Sequence, residues 1–175
     1  MTRVLRTTLA SFFRTAGVCG SLLLVSAISA SAAEPDFKTM MRKVIDSWQT
    51  LDPEKAAVYY DKNEHAVFFD VLPLKYTGWT AYFEGTKDAF KNWASLTIAL
   101  NDDAWIERKG DMAITAVTAR GEVVEKSGAK NSLDLRWTVV WEKHGDAWLI
   151  VHEHLSAPLM VPPPAAQAPT GTTAK

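Results

Sequence analysis

The chain has 175 residues, 19 basic and 20 acidic, with a formal net charge of −1 and a single cysteine, Cys19. So balanced a charge argues against nucleic acid or an anionic membrane as a partner, since both demand basic surface. One cysteine cannot staple a small exported domain, so the fold must be held by its core.

Residues 1–33 read as a leader rather than as part of the fold. Arg3, Arg6 and Arg14 precede an apolar run from Val18 to Ile28, no acid occurs before Glu34, and Ala30-Ser31-Ala32 and Ser31-Ala32-Ala33 both offer the small-x-small pattern of a cleavage site. The apolar run is shorter than the roughly 20 residues a spanning helix needs. The chain is therefore expected to be exported, to a periplasm or outside the cell. Without the leader, 16 basic and 20 acidic residues remain, a charge of −4, and no cysteine. Thiol catalysis and thiolate metal sites are then excluded, while seven tryptophans can supply a core.

Residues 36–51 repeat Phe37, Met40, Met41, Val44, Ile45, Trp48 and Leu51 at helical spacing, with Asp36 placed to cap. Asp52-Pro53-Glu54 opens a second, short helix that reaches Tyr60. Residues 65–71 predict a strand, and 79–94 predict a third helix on Trp79, Tyr82, Phe83, Ala89, Phe90 and Trp93, interrupted by Gly85. Four β segments follow, at 96–107, 112–126, 132–143 and 148–156, separated by Lys109-Gly110-Asp111, Ser127-Gly128-Ala129 and His144-Gly145-Asp146. Residues 158–175 are Pro, Ala and Thr without periodicity and predict a disordered tail. Helices at the front and a meander behind predict an α+β domain over 34–157, a strongly curved, mostly antiparallel sheet wrapping three helices into a cone. Strict alternation puts Leu133, Leu135, Trp137, Val139 and Trp141 on one sheet face and Val140, Trp148 and Ile150 on the other. Two apolar faces predict a homodimer.

Gly78-Trp79 opening the third helix, Thr138-Val-Val-Trp141, Asp146-Ala-Trp148 and Val151-His-Glu-His-Leu-Ser-Ala-Pro158 together resemble the SnoaL-like branch of the nuclear transport factor 2-like superfamily, the ketosteroid isomerase-like fold. The densest likeness, from Arg136 onward, is to the association domain of calcium/calmodulin-dependent protein kinase II. The resemblance implies a conical cavity. It fixes no reaction, because this fold hosts isomerases, cyclases, dehydratases and non-enzymatic binders.

Among the candidate residues, Arg120 shares a strand face with Met112, Ile114, Ala116 and Thr118, and by the resemblance matches a cavity arginine. Val139 and Leu155 stand where the family has others. The alternative for Arg120 is solvent or pairing with Glu122. Glu153 alternates with Leu155, so the same resemblance points it into the cavity as a general base, or else into a structural ion pair. His152 and His154 share a strand face, a spacing that suits a metal only with a third ligand. The resemblance makes them structural, with Arg136 and Asp134 in the same polar band. Tyr82 and Phe90 fall where the family's helix overhangs the cavity mouth. Trp93 joins them as an aromatic wall, and Tyr60 could place a hydroxyl at the rim. No phosphate loop or nucleophile elbow is present. The expected function is binding of a small organic molecule, with neither metal nor cofactor implied. Its catalytic form would be cofactor-free isomerisation, dehydration or cyclisation, with Glu153 as base and Arg120 on an anionic or carbonyl oxygen. The alternative is a non-catalytic ligand-binding or oligomerisation module.

Overall fold

Two capping aspartates start the helical part of the chain, as the sequence predicts. In the computed structural model, which describes residues 35–71 and 73–159, α1 (Phe37–Trp48) begins behind Asp36, whose carboxylate accepts the Thr39 N–H at 3.1 Å. α2 (Pro53–Ala56) begins behind Asp52, which accepts from the Glu54 N–H at 3.1 Å, with Pro53 where a missing N–H costs nothing. This second helix tightens at once into a 3-10 turn, Ala57–Tyr59. The turn hands Tyr60 to the sheet, where it bridges Ile150, and the Asp61 N–H donates to the Ile150 carbonyl at 2.9 Å. The expected leader and residues 160–175 of the expected tail lie outside the described residues.

Beyond the turn come β1 (Val67–Phe69), β2 (Tyr76–Thr77), α3 (Trp79–Phe90), β3 (Trp93–Leu100), β4 (Trp105–Lys109), β5 (Met112–Glu125), β6 (Lys130–His144) and β7 (Ala147–Ser156). They form one curved, unclosed seven-stranded sheet in the order β2-β1-β7-β6-β5-β3, with β4 also on β5. Every pairing is antiparallel except β1 with β7. The expected α+β architecture is present, with α1 and α3 packed against the inner face of the sheet. Among the described residues no helix is long and apolar enough to cross a membrane.

Three local expectations change. The third helix ends at Phe90, so Trp93 is the first residue of β3 rather than a helical residue. The strand expected over 96–107 is two strands. Between them Asp103 takes the Thr118 N–H at 3.0 Å and its hydroxyl at 2.6 Å, and Asn101 bonds the same hydroxyl at 2.7 Å. Short polar side chains there compete for ladder groups and break the strand.

The third change decides which residues face inward. The β6–β7 register slips by one between the pairs Val140–His152 and Trp141–Ile150, leaving Val151 as an extra residue on β7. A bulge of this kind resets alternation. Trp148 and Ile150 therefore point to the same side as Glu153, not away from it. Phe37 confirms the sidedness by packing its ring on both Trp141 at 5.8 Å and Trp148 at 5.1 Å. Trp148 and Ile150 are buried in the one core, so they supply no second apolar face, and that ground for a dimer is removed.

Gly85 explains itself through Tyr76. A Cβ built there would lie 2.3 Å from Tyr76 Cε1 and 2.6 Å from its hydroxyl oxygen, so the bare backbone of α3 is the seat of that ring. Alanine at an ordinary helical position would gain up to about 1 kcal/mol over glycine. Here Gly85→Ala is expected to cost about 1–3 kcal/mol instead, because a stiff aromatic ring must move. Urea unfolding checks the sign.

Candidate functional site

Inner-facing side chains of five elements converge on one carboxyl group. Glu153 on β7 is 4% exposed. Its Oε2 accepts the indole N–H of Trp137 (β6) at 2.9 Å and the hydroxyl of Tyr60 at 3.0 Å, while Oε1 accepts the hydroxyl of Tyr82 (α3). Tyr60 in turn accepts the indole N–H of Trp48 (α1) at 2.9 Å. Phe68, the β1 partner of Glu153 in the register, stacks on Tyr82 with ring centroids 4.7 Å apart. The wall is aromatic throughout. Trp79 packs on Tyr60 at 5.0 Å, and Trp48 meets both tyrosine rings edge-on at 5.8 Å.

This cage pulls the carboxyl in two directions. Burial disfavours the carboxylate and dominates, the bonds from Tyr82, Trp137 and Tyr60 favour it, and the negative charge of Asp70 opposes it. The outcome lifts Glu153 from an ordinary 4.5 to about 7. Burial, followed by the nearby Glu153 charge, pushes both Tyr60 and Tyr82 well above the usual phenol range, so they remain donors. A carboxylate offers about four lone-pair positions. Three are taken by protein donors, and the one left open is on Oε1.

Asp70 lies near this cage, and its charge acts on both Glu153 and Tyr82. It follows Phe68 by two residues at the end of β1, and burial raises its carboxyl above the usual range. It lines a groove of about 470 Å³ at the ends of β1 and β7, together with Val71, Leu74, His154 and Leu155. Leu155, which lines the groove, is the next inward residue after Glu153, roughly 7 Å along the strand, and Glu153 itself does not line it. A second cavity, of about 320 Å³, lies on the far side of α1 against Lys38, Arg42, Leu100 and Asn101 and does not reach Glu153.

The sequence-derived candidates therefore divide. Glu153, Tyr60 and Tyr82 come together, with Tyr60 at the centre and not the rim. Arg120 does not join them. It lies on the outer face of β5 and pairs at 2.9 Å with its cross-strand neighbour Asp134, both exposed, so it neither enters the cone nor pairs with Glu122. Arg136 is likewise exposed on the outer face of β6, opposite Thr118 and Ser156. His152 holds its Nδ1 2.6 Å from the Val67 carbonyl, and Phe69 packs edge-on against it and against His154. Among the described residues no three His, Cys, Asp or Glu side chains are grouped to hold a metal. Phe90 and Trp93 touch each other at 5.3 Å, and Phe90 touches Trp48, one shell away from the carboxyl. Trp137, Trp48 and Asp70 were not singled out from sequence. Trp137 carried the one usable signal, since it alternates with Val139, the cross-strand partner of Glu153.

Three helices in the hollow of a curved mixed sheet, with a buried carboxyl inside the hollow, define a nuclear transport factor 2-like domain. The model of the SnoaL-like domain family matches residues 24–160, and the chain belongs to that family. Among solved structures it is similar to a nuclear transport factor 2-like superfamily protein from Salmonella enterica serovar Typhimurium LT2, at 19% identity over 74% of this chain and 94% of that one, TM-score 0.66. A candidate dehydratase of the same family from Streptomyces avermitilis aligns at 14% identity over 71% and 95%, TM-score 0.62. A candidate calcium/calmodulin-dependent protein kinase II association domain from Xanthomonas campestris aligns at 21% over 78% and 95%, TM-score 0.56. No curated protein matches the chain. At these identities the likeness establishes the fold alone.

Proposed function

We propose that the protein binds a small organic molecule in its conical interior and moves a proton on it without a cofactor, in an isomerisation or dehydration. The observation that carries this reading is Glu153, a carboxyl held inside the fold with its proton affinity tuned to about 7. A general base works best when its affinity matches the ambient pH, and such groups typically contribute about 10²–10⁴-fold. The carboxylate accepts the substrate proton at the open position on Oε1 and returns it to another carbon or to a departing hydroxyl. Tyr82, still protonated, can donate to a developing oxyanion once its single O–H swings away from Oε1. The molecule reaches the carboxyl from the groove once Leu155 turns aside. Candidate dehydratases among the structural neighbours are consistent with this chemistry.

The second reading is a non-catalytic binding or oligomerisation module, favoured by the three donors that already satisfy Glu153. Glu153→Gln separates the two. Deuterium incorporation from heavy water into a panel of β,γ-unsaturated and β-hydroxy ketones, followed by NMR, should fall at least a hundredfold in the folded variant. In the native protein the rate should rise with pH and level off above about 7. An unchanged rate in the variant establishes the structural reading.

The proposal extends to an exported homodimer. With Trp148 and Ile150 inside, the surface for it is the outer face, where Trp105, Met112 and Ile114 are each 41–51% exposed. Light scattering at micromolar concentration is expected to give twice the protomer mass, and a monomer rejects the dimer.

A further inference from the structure

The electrostatics of the groove select among ligands. Apart from Asp70, its lining is apolar except for His154 and Ser156, and two of its large hydrophobic residues are exposed, Val71 at 36% and Leu74 at 91%. Within it sits the Asp70 carboxyl, half-buried at the end of an inner-facing strand. Among the described residues its carboxyl takes a hydrogen bond only from the backbone N–H of Val71, at 2.6 Å, and no Lys or Arg pairs with it. The inward residue before Leu155 on β7 is the second carboxyl, Glu153. The arginine that could have made this region a seat for anions, Arg120, is on the other side of the sheet and engaged with Asp134. His154 is the one other titratable lining residue, and it faces outward against Phe69. A half-buried carboxyl without a counter-charge is costly, and a cation delivered to it on an apolar body removes that cost.

We propose that the groove takes a small amphipathic ammonium compound, its cationic head on Asp70 and its hydrocarbon body against Leu155, Val71 and Leu74. A volume of about 470 Å³ accommodates an aryl-alkylamine or a short alkylamine, and is within the usual range for small-ligand pockets. The inference rests on the reading of the groove as the route to Glu153 and narrows its substrates to neutral or cationic molecules. The carboxylate-bearing ligands suggested by an inward Arg120 are excluded.

The test uses three probes of one shape, 3-phenylpropylamine, 3-phenylpropanol and 3-phenylpropionate, titrated calorimetrically into the full chain at pH 7. The amine should bind at least tenfold more tightly than the alcohol, and the carboxylate should be weakest. Asp70→Asn should bring amine and alcohol to equal affinity while the circular dichroism spectrum stays native. Equal affinity of amine and alcohol for the native protein overturns the proposal without need of any variant, as does a preference that survives Asp70→Asn. Amine binding that persists in Glu153→Gln supports the groove assignment whether or not that variant loses proton transfer, so the two readings fail separately.

Discussion

The native protein should lose stability as the pH rises from about 5 to about 8, by roughly 3 kcal/mol through Glu153 alone. The sign follows from where the proton is held. Folding lifts this carboxyl from an ordinary 4.5 to about 7. Between those two values the folded state keeps its proton and the unfolded state releases it, so unfolding releases a proton and is favoured by high pH. The stabilisation is complete below about 4.5 and is lost as the pH rises through about 7. A window of that width, at 1.36 kcal/mol per pH unit, gives the magnitude. Asp70 is raised by burial and adds in the same direction. Asp36 and Asp103 are lowered by the bonds each receives from a threonine, so their effect has the opposite sign and falls at more acid pH. Urea unfolding at pH 5, 6, 7 and 8 measures the slope. Glu153→Gln, which cannot ionise, should flatten its main component. A native curve that is level or rising over this range removes the base assigned to the site.

The helical front of the chain was legible because capping is local: an aspartate, a proline and an apolar stripe carry their own instructions. The fold class was legible for a similar reason, as the strands are long and the turns rich in glycine. What failed was everything that depends on one residue's offset. Alternation assigned Trp148 and Ile150 to the face opposite Trp141, and a single bulge at Val151 cancelled that assignment. The face of β5 that carries Arg120 was identified correctly, but whether that face is inner or outer is decided by where α1 packs. Residues far apart in sequence settle that. Glu153 was legible as an inward residue only through the resemblance carried by Val151-His-Glu-His-Leu-Ser-Ala-Pro158. Tyr60 and Tyr82 were legible as site residues but not as its bonding partners, and Trp137 and Trp48 were not legible at all, since these residues lie far apart in sequence and meet only in three dimensions.

The bulge also bears on the site. It lets β7 place two core residues, Trp148 and Ile150, and the functional carboxyl on one face although they differ in parity. Trp148 and Ile150 anchor the N-terminal half of the strand under α1, while Glu153 and Leu155 line the end nearest the groove. Packing and chemistry are thus divided along a single strand.

Glu153→Ala should be among the most damaging single changes in the molecule, and its cost should itself depend on pH. At pH 5 the native carboxyl is protonated and bonded by three donors. Alanine leaves the Trp137 N–H with no acceptor, strips the shared acceptor from Tyr60 and Tyr82, and opens a void among rings. An orphaned buried donor costs about 1–3 kcal/mol, and the void adds to it, so a loss on the order of 4 kcal/mol is expected. At pH 8 the native protein already bears the cost of a buried carboxylate, roughly 3 kcal/mol by the linkage above. The variant escapes that cost, so the difference between the two proteins should shrink to about 1 kcal/mol. Glu153→Gln behaves otherwise. Its amide oxygen can take the bonds from Trp137 and Tyr60, its nitrogen can donate to a rotated Tyr82 hydroxyl, and the volume is kept. That variant should lose about 1 kcal/mol or less at pH 5 and be the more stable protein at pH 8. Chemical denaturation of all three proteins at both pH values decides the matter. If alanine costs the same at pH 5 and pH 8, the carboxyl is not protonated in the folded protein, and the cage serves only to hold a carboxylate in place.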